Sequence, residues 1–253
     1  MAPHKFSVPV IILATFLCVI GAFRVVPVQA VQVDGSRFGV VIGDSIAEGH
    51  PALHGVLHPG PATYDPNYPN QPGQLSYELA DLSGIRWYNH GIGSQTTEHV
   101  RGRWLRDVLA LEHDPGDGRG SRTLTSLPDM VVVSVGVNDV SLQIPALTTQ
   151  TNITYMADTL SALGIPVVFF TLPPSDRFSP EQIQAVRDMN AWMSSNLPGP
   201  NVAVVDLYSW FEDPANPGKV NSQLAADYIH PSKEGYRQLA QMAWDALQSL
   251  GAK

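Results

Sequence analysis

The feature that most constrains the fold is a regular alternation of short apolar runs with segments of helical periodicity. Each run is apolar at consecutive positions and rich in β-branched residues, which is typical of strands buried on both faces of a parallel sheet. The runs cover residues 38–42, 85–88, 130–135, 166–170 and 202–205, and the helical segments cover residues 74–82, 97–111, 149–163, 180–197 and 233–250. This order predicts a doubly wound α/β domain.

Composition limits the number of domains and the class of partner. The 253 residues suffice for one sizeable core, and an apolar content of 44% is ordinary for a globular protein. The formal net charge is -8, and no stripe of basic residues runs along the sequence. Because binding to nucleic acid relies on such a stripe, we expect no nucleic-acid partner.

The first thirty residues have the pattern of a secretory signal peptide. Lys5 gives positive charge to a short polar start, residues 8–23 carry no charge, and residues 28–30 suit a leader peptidase. A membrane anchor is the alternative, but this uncharged run is shorter than the roughly 20 residues that a membrane-spanning helix needs. We expect a cleaved leader over residues 1–30, a single domain over residues 31–253, no stable membrane span after cleavage, and a secreted or periplasmic location.

A serine follows the first apolar run, at the place where such sheets bind ligands. Ligands of doubly wound sheets lie beyond the carboxyl ends of the strands, and Gly-Asp-Ser at residues 43–45 comes directly after the first run. A hydroxyl becomes a good nucleophile only when a neighbouring base takes its proton. Ser45 is therefore a candidate nucleophile, although Gly-Asp-Ser taken alone is more typical of a plain turn.

A candidate base lies almost two hundred positions later. Asp227 precedes His230 by three residues, a spacing that lets the carboxylate hold one ring nitrogen, fix the tautomer and stabilise the imidazolium. The alternative is structural, with Asp227 or Ser232 as the cap of the last helix. A cap explains one residue of this segment and leaves His230, which stands before a proline, without an explanation.

Two further polar segments follow the second and third apolar runs. Asn138, within Gly-Val-Asn-Asp at residues 136–139, has an amide that suits donation to a developing oxyanion. The glycines within residues 89–97 let a ligand approach the backbone closely. Turn formation is the plainer interpretation of both segments, with Thr96 or Thr97 as a helix cap.

Together, these four segments resemble the four sequence blocks of the SGNH hydrolases, also called GDSL-type esterases. The resemblance covers about residues 36–250 and implies a three-layer α/β/α sandwich with a five-stranded, mainly parallel, flavodoxin-like sheet. It implies that Ser45 is the nucleophile, that His230 is the base and that Asp227 orients the base. It also implies an oxyanion hole that includes the N–H of Ser45 and the side chain of Asn138.

The sequence departs from the family pattern at one position of this hole. The family usually has a glycine, whose N–H joins the hole, where this chain has Ser94. We expect the Ser94 N–H to be the donor, because a backbone donor needs no glycine where φ and ψ suit a side chain. Gly93 is the alternative donor if the loop is shifted by one residue.

The resemblance implies an enzyme that hydrolyses carboxylic esters through an acyl-enzyme on Ser45, without a cofactor. We expect small or carbohydrate-linked acyl esters as substrates. A lipid-directed esterase, such as a lysophospholipase or thioesterase, and an acyltransferase would use the same residues and stay open as alternatives. A non-catalytic carbohydrate-binding protein on this fold is expected to lack Ser45, Asn138 or His230, and this chain keeps all three.

Two other groups of residues are weaker candidates for sites. His50, His54 and His58 recur every four residues, but prolines crowd the stretch and no cysteine or carboxylate cluster completes a metal site. We therefore predict no metal there and expect these histidines to line the loop over the serine. The acidic residues within the loop at 113–128 offer too few regularly spaced oxygens for calcium.

Overall fold

The computed structural model of the protein describes residues 37–51, 70–111, 124 and 126–252. Within these ranges five strands pair in parallel to form one sheet, in the order β2-β1-β3-β4-β5. The strands are β1 (Phe38–Gly43), β2 (Arg86–Gly91), β3 (Met130–Ser134), β4 (Val167–Phe170) and β5 (Val202–Val205). The predicted α/β fold with a five-stranded parallel sheet is confirmed.

Helices connect the strands and flank the sheet. They are α1 (Ser45–Glu48), α2 (Leu75–Ser83), α3 (Thr97–Gly102), α4 (Trp104–Asp107), α5 (Val137–Ser141), α6 (Ala146–Ala162), α7 (Pro180–Asn196), α8 (Leu207–Phe211) and α9 (Lys233–Ser249). The helices α2, α6, α7 and α9 lie within a few residues of their predicted bounds. The short helices α1, α5 and α8 were not predicted, because four or five residues show no clear periodicity.

Two apolar cores lie on opposite faces of the sheet, because the side chains of a strand point alternately to its two faces. In β1, Val40 and Ile42 belong to a core with side chains of α3, α4, α6 and α7, whereas Val41 belongs to a second core with α1, α2, α8 and α9. All three side chains are fully buried. Burial on both faces explains why the strands are apolar at consecutive positions.

The segment predicted as one helix over residues 97–111 is two short helices, so that prediction was wrong. α3 ends at Gly102 and α4 begins at Trp104, with Arg103 between them at φ -112° and ψ 6°. The buried guanidinium of Arg103 donates to the Gly43 carbonyl of β1 and to Asp107. The tertiary hydrogen bond to Gly43 outweighs the local preference for a continuous helix.

The second strand runs three residues further than predicted, so Asn89, His90 and Gly91 lie in β2 and not in a loop. Glycine is required at position 91, because a Cβ there would lie 2.0 Å from the backbone nitrogen of Glu48 in α1. The prediction that this glycine admits a ligand was wrong. Gly91 instead lets α1 pack directly against β2.

Several sequence-based predictions concern residues outside the described ranges. They are the leader over residues 1–30, the positions of His54 and His58, and most of the acidic loop at 113–128. Where the structure does describe the chain, no helix has both the length and the apolar character that crossing a membrane requires.

Candidate active site

The turn after β1 presents Ser45 at the carboxyl edge of the sheet. Gly43 ends β1 at φ 149°, and a Cβ there would lie 1.8 Å from the carbonyl oxygen of Ser134 in β3, so only glycine fits. The Asp44 carboxylate caps α1 by accepting from the Ile46 N–H at 3.0 Å. Ser45 is therefore the first residue of a helix, where N–H groups have no acceptor within their own helix.

The segment before α9 forms a tight turn that orients the imidazole of His230. One carboxylate oxygen of Asp227 accepts from the N–H groups of Ile229 and His230, at 2.9 and 2.8 Å. The other oxygen lies 2.8 Å from Nδ1 of His230. The cap of α9 is Ser232, whose hydroxyl accepts from the Gly235 N–H at 3.1 Å. The alternative in which Asp227 caps the helix was therefore wrong.

Ser45 and His230, 185 positions apart in sequence, meet at hydrogen-bond distance. Nε2 of His230 lies 2.8 Å from Oγ of Ser45. Burial raises the pKa of Asp227, but hydrogen bonds from the His230 ring and from the N–H groups of His230 and Ile229 outweigh it and hold this pKa below its ordinary value. Asp227 is thus a carboxylate beside the ring, and the arrangement permits a proton to pass from Ser45 to His230.

The side chain of Asn138 is held beside the loop that follows β2. Asn138 lies in α5, directly after β3, and β3 is the neighbour of β1 in the sheet. Its half-buried amide donates to the Gln95 carbonyl at 2.9 Å. A primary amide has two N–H donors, so this contact fixes the orientation of the side chain and leaves a second N–H for an incoming oxygen.

The residue after Asn138 anchors α5 to α3 and α6. The buried carboxylate of Asp139 accepts from the Thr97 N–H at 2.9 Å, from the Thr97 hydroxyl at 2.5 Å and from the Thr149 hydroxyl at 3.1 Å. The sequence indicated only a turn here, because these partners come from distant segments. The network holds Asn138 on a fixed helix.

The loop beside Ser45 adopts a conformation that glycine usually provides. Ser94 is exposed and has φ 63°, in the left-handed region, where a residue with a side chain is strained by roughly 1–2 kcal/mol. The expectation that the backbone at this position suits an ordinary side chain was wrong. The turn lies next to the nucleophile, because a Cβ on Gly93 would lie 3.9 Å from Cβ of Ser45.

The carboxylate of Glu48 lies beside Gly93. Burial raises the pKa of Glu48, and the hydrogen bond from the Gly93 backbone opposes this effect. A Cβ on Gly93 would lie 3.0 Å from Oε2 of Glu48. A carboxylate beside Gly93 disfavours an oxyanion at that N–H, so the Ser94 N–H stays the predicted donor.

A buried acid next to the nucleophile has an incomplete set of partners. Asp44 is 1% exposed, and its Oδ2 has no hydrogen-bond partner among the residues that the structure describes. Burial raises the pKa of Asp44 to about 7, with help from the charge of Asp139 and against hydrogen bonds from the N–H groups of Ile46 and Ala47. The sequence marks Asp44 only as a turn residue.

A second buried acid, Asp107, is paired with two arginines that sequence reasoning missed. It accepts from Nη1 of Arg103 at 2.8 Å and from Nε of Arg106 at 2.6 Å. Arg103 also donates to the Gln95 side chain at 2.8 Å and to the Gly43 carbonyl at 3.0 Å, so the buried ion pair joins the end of β1 to the loop after β2. The spacing of four residues between Arg103 and Asp107 is the signal that would have indicated the pair.

His50 lies against the imidazole of His230, with ring centroids 4.7 Å apart. This position agrees with the expectation that His50 lies near the serine. The ligand atoms of His50, Asp227 and His230 lie within 4.8 Å of one another, a spacing that a metal ion could use. However, Asp227 and His230 are bonded to each other, and His230 also contacts Ser45. A metal ion here would have to displace these hydrogen bonds.

Comparison with known proteins gives one family match. A model of the GDSL-like Lipase/Acylhydrolase family matches residues 41–238, a range that contains Ser45, Ser94, Asn138, Asp227 and His230. Comparison with curated proteins finds no match.

Similar solved structures share the fold over most of their length. A GDSL-like lipase from Bacteroides thetaiotaomicron is 22% identical with a TM-score of 0.61, covering 87% of this chain and 92% of its own. A lipase/acylhydrolase from Enterococcus faecalis is 23% identical with a TM-score of 0.57, covering 86% and 98%. A variant of an acetyl-xylooligosaccharide esterase from a Geobacillus is 18% identical with a TM-score of 0.56, covering 84% and 94%. At these low sequence identities, the similarity establishes the shared fold alone.

Proposed function

This chain belongs to the GDSL-like lipase/acylhydrolase family, and we propose that it hydrolyses carboxylic esters through an acyl-enzyme on Ser45. The observation that carries the proposal is the pair of contacts made by His230. Its Nε2 lies 2.8 Å from Oγ of Ser45, and its Nδ1 lies 2.8 Å from the carboxylate of Asp227. A hydroxyl, a base and a group that orients the base are the parts that nucleophilic acyl transfer requires.

In the first half of the reaction, His230 takes the hydroxyl proton of Ser45 while Oγ attacks the carbonyl carbon of the ester. Asp227 stabilises the imidazolium that forms. The oxyanion accepts hydrogen bonds from the N–H groups of Ser45 and Ser94 and from the amide of Asn138. His230 then gives its proton to the departing alkoxide, so the alcohol leaves and the acyl group stays on Ser45.

Water completes the cycle. His230 removes a proton from water, and the resulting hydroxide attacks the acyl carbonyl. The bond to Oγ breaks, the proton returns to Ser45, and the carboxylic acid leaves. One ester and one water give one acid and one alcohol, and an alcohol in place of water would make the same residues an acyltransferase.

We propose small or carbohydrate-linked acyl esters as substrates, because polar and aromatic side chains lie beside the proposed base and nucleophile. The imidazole of His50 and the ring of Tyr228 flank His230, with centroids 4.7 and 6.3 Å away. The carboxylate of Glu48 lies against Gly93, next to Ser45. Such groups suit the hydroxyls of a sugar, and the same fold carries an acetyl-xylooligosaccharide esterase among the similar structures.

A lipid-directed esterase is the second candidate, and two leucines favour it. Leu142, directly after α5, and Leu147, in the first turn of α6, are 65% and 73% exposed. Both follow Asn138 closely along the chain. Exposed apolar side chains at such a place would suit a long acyl chain.

Initial rates on 4-nitrophenyl esters from acetate to dodecanoate test the proposal and separate the two candidates. We expect the highest kcat/KM on the acetate or butyrate ester, a decline with chain length, and only the background rate for Ser45→Ala. Circular dichroism would establish that this variant is folded. A maximum at the dodecanoate would favour the lipid-directed enzyme, and undiminished hydrolysis by folded Ser45→Ala would contradict the mechanism.

A further inference from the structure

An exposed arginine is stacked on the aromatic ring next to His230. The ring of Tyr228 lies edge-on to the His230 imidazole, with centroids 6.3 Å apart. The guanidinium carbon of Arg177 lies 3.5 Å from the centroid of Tyr228. The backbone fixes this arrangement, because the Asp176 N–H donates to the Tyr228 carbonyl at 3.0 Å. A cation is thus held one aromatic ring away from the proposed base.

Within the described part of the chain, Arg177 forms no ion pair, whereas five other arginines do. The paired arginines are Arg37, Arg103, Arg106, Arg187 and Arg237. The adjacent Asp176 carboxylate accepts from the Val220 N–H at 3.0 Å instead. Lys219 adds a second positive charge nearby, because its Nζ donates to the Asp176 carbonyl at 2.8 Å.

Stacking on Tyr228 leaves the hydrogen-bond donors of Arg177 available. A guanidinium presents its flat face to an aromatic ring, while its five N–H donors lie in the plane and point outward. This fork matches a carboxylate or phosphate with two parallel hydrogen bonds. The ring also reduces the freedom that the side chain would lose when an anion binds.

We propose that Arg177 is a specificity-determining residue that binds an anionic group, a carboxylate or a phosphate, carried by the ester substrate. Tyr228 holds the guanidinium in place for this contact. The inference rests on the proposed function, because it concerns esters that are cleaved at Ser45. It narrows the substrate class to esters with a negative charge close to the scissile bond, in a protein whose net charge of -8 otherwise disfavours anions.

Matched pairs of esters test this proposal. 4-Acetoxybenzoate and its methyl ester differ only in a charge on the alcohol part, and mono-(4-nitrophenyl) adipate and its methyl ester differ only in a charge on the acyl part. 4-Acetoxyphenyl phosphate replaces the carboxylate by a phosphate. For the wild type we expect kcat/KM to be higher for the anionic member of at least one pair by roughly tenfold, the scale of a charge-assisted hydrogen bond.

Variants of Arg177 assign the preference to its guanidinium. Arg177→Gln should abolish the preference for the anionic ester and leave kcat/KM for the neutral ester within about twofold. Arg177→Lys should keep part of the preference, because an ammonium retains the charge without the fork. The preference should also weaken as ionic strength rises, since the site is exposed.

Arg101→Gln is the matched control. Arg101 is exposed, and its guanidinium carbon lies 4.7 Å from the ring centroid of Tyr155, so the variant removes the same charge from another arginine–tyrosine stack. We expect Arg101→Gln to leave kcat/KM unchanged for both members of each ester pair.

Two results would overturn the role of Arg177. Equal losses on charged and neutral esters in Arg177→Gln would mean that Arg177 acts only by packing Tyr228 against His230, and unchanged rates on both would mean that it has no role. Failure of the wild type on every ester tested, charged or neutral, or hydrolysis by folded Ser45→Ala, would contradict the proposed function instead.

Discussion

Two buried aspartates, Asp44 and Asp107, have opposite surroundings. Oδ2 of Asp44 has no partner within the described residues, and burial raises the pKa of Asp44 to about 7. Burial also acts to raise the pKa of Asp107, but hydrogen bonds from Arg106 and the charges of His90 and Arg103 outweigh it and lower this pKa. Both carboxylate oxygens of Asp107 have arginine partners, whereas one oxygen of Asp44, next to the nucleophile, has none within the described residues.

This difference shows where the molecule carries local strain. Beside Ser45 lie a buried Asp44 carboxyl with one oxygen unpartnered within the described residues, a left-handed backbone at Ser94 and a partly buried acid in Glu48. Strained conformations and unsatisfied groups concentrate at functional sites and persist only where the surroundings hold them. Arg103 supplies part of that support, because it donates to the last residue of β1 and to Gln95 in the loop after β2.

The largest expected effect is on the paired acid. Asp107→Asn should lower the free energy of unfolding at pH 7 by about 3–5 kcal/mol, because it leaves Arg103 as a buried charge without its carboxylate. Urea unfolding measures the change. Glu234→Gln, which removes an exposed partner of Arg237, is the control and should cost less than about 1 kcal/mol. Equal stabilities of Asp107→Asn and Glu234→Gln would mean that the buried ion pair of Asp107 adds no more than an exposed one. The contrast between Asp107 and Asp44 would then fail.

Asn138→Ala should affect activity much more than stability, because Asn138 belongs to the proposed active site and not to the Arg103–Asp107 ion pair that supports it. Loss of an oxyanion donor typically lowers kcat by about 10²–10³-fold. The lost hydrogen bond to the Gln95 carbonyl should cost only about 1 kcal/mol of stability. Steady-state kinetics with 4-nitrophenyl acetate measures the effect on activity, and urea unfolding measures the effect on stability. An unchanged kcat in a folded variant would remove Asn138 from the oxyanion hole.

Asp44→Asn should stabilise the protein at alkaline pH. The raised pKa means that protonated Asp44 favours the folded state below about pH 4, the ordinary range of the group, and that this stability is lost as the pH rises to about 7. Above pH 7 the variant should therefore be more stable than the wild type by roughly 2–4 kcal/mol. Thermal unfolding of both proteins from pH 4 to pH 8 measures the difference in stability. If this difference does not grow with pH, Asp44 is not the titrating group.

The smallest expected effect is at Ser94. Ser94→Gly relieves a left-handed strain of roughly 1–2 kcal/mol, while the freer unfolded chain offsets about 0.4–1 kcal/mol of this gain. We expect a net stabilisation of about 0.5 kcal/mol and a kcat within about twofold, since the backbone N–H stays. Ser94→Ala keeps the strain and serves as the control, and equal stabilities of the two variants would argue against strain at this position.

The fold was predictable because its determinants are local. The strands β1, β3 and β4 are buried along their whole length, so a segment such as residues 130–135 stands out as apolar at consecutive positions. Helices such as α7 also have clear boundaries, with Ser179 as the cap and a proline at the first turn. The break at Arg103 was not predictable, because its guanidinium donates to the Gly43 carbonyl, which is distant in sequence.

The candidate site was predictable in its residues and less so in its electrostatics. The structure brings Ser45, Asp227 and His230 together, although their catalytic roles stay predictions. The left-handed backbone of Ser94 and the missing partner of Asp44 depend on how loops pack, which a single sequence does not reveal. Local rules fail at these positions next to the nucleophile, where function competes with stability.

Labelling with a fluorophosphonate, followed by mass spectrometry of the peptides, tests the role of Ser45 most directly. The reagent reacts only with a serine whose proton a neighbouring base removes. We expect one phosphonyl group per chain, on Ser45, with loss of esterase activity in the same proportion, and no labelling of Ser45→Ala or His230→Ala. Full inactivation with the label on another residue, or esterase activity that survives complete modification of Ser45, would contradict the account.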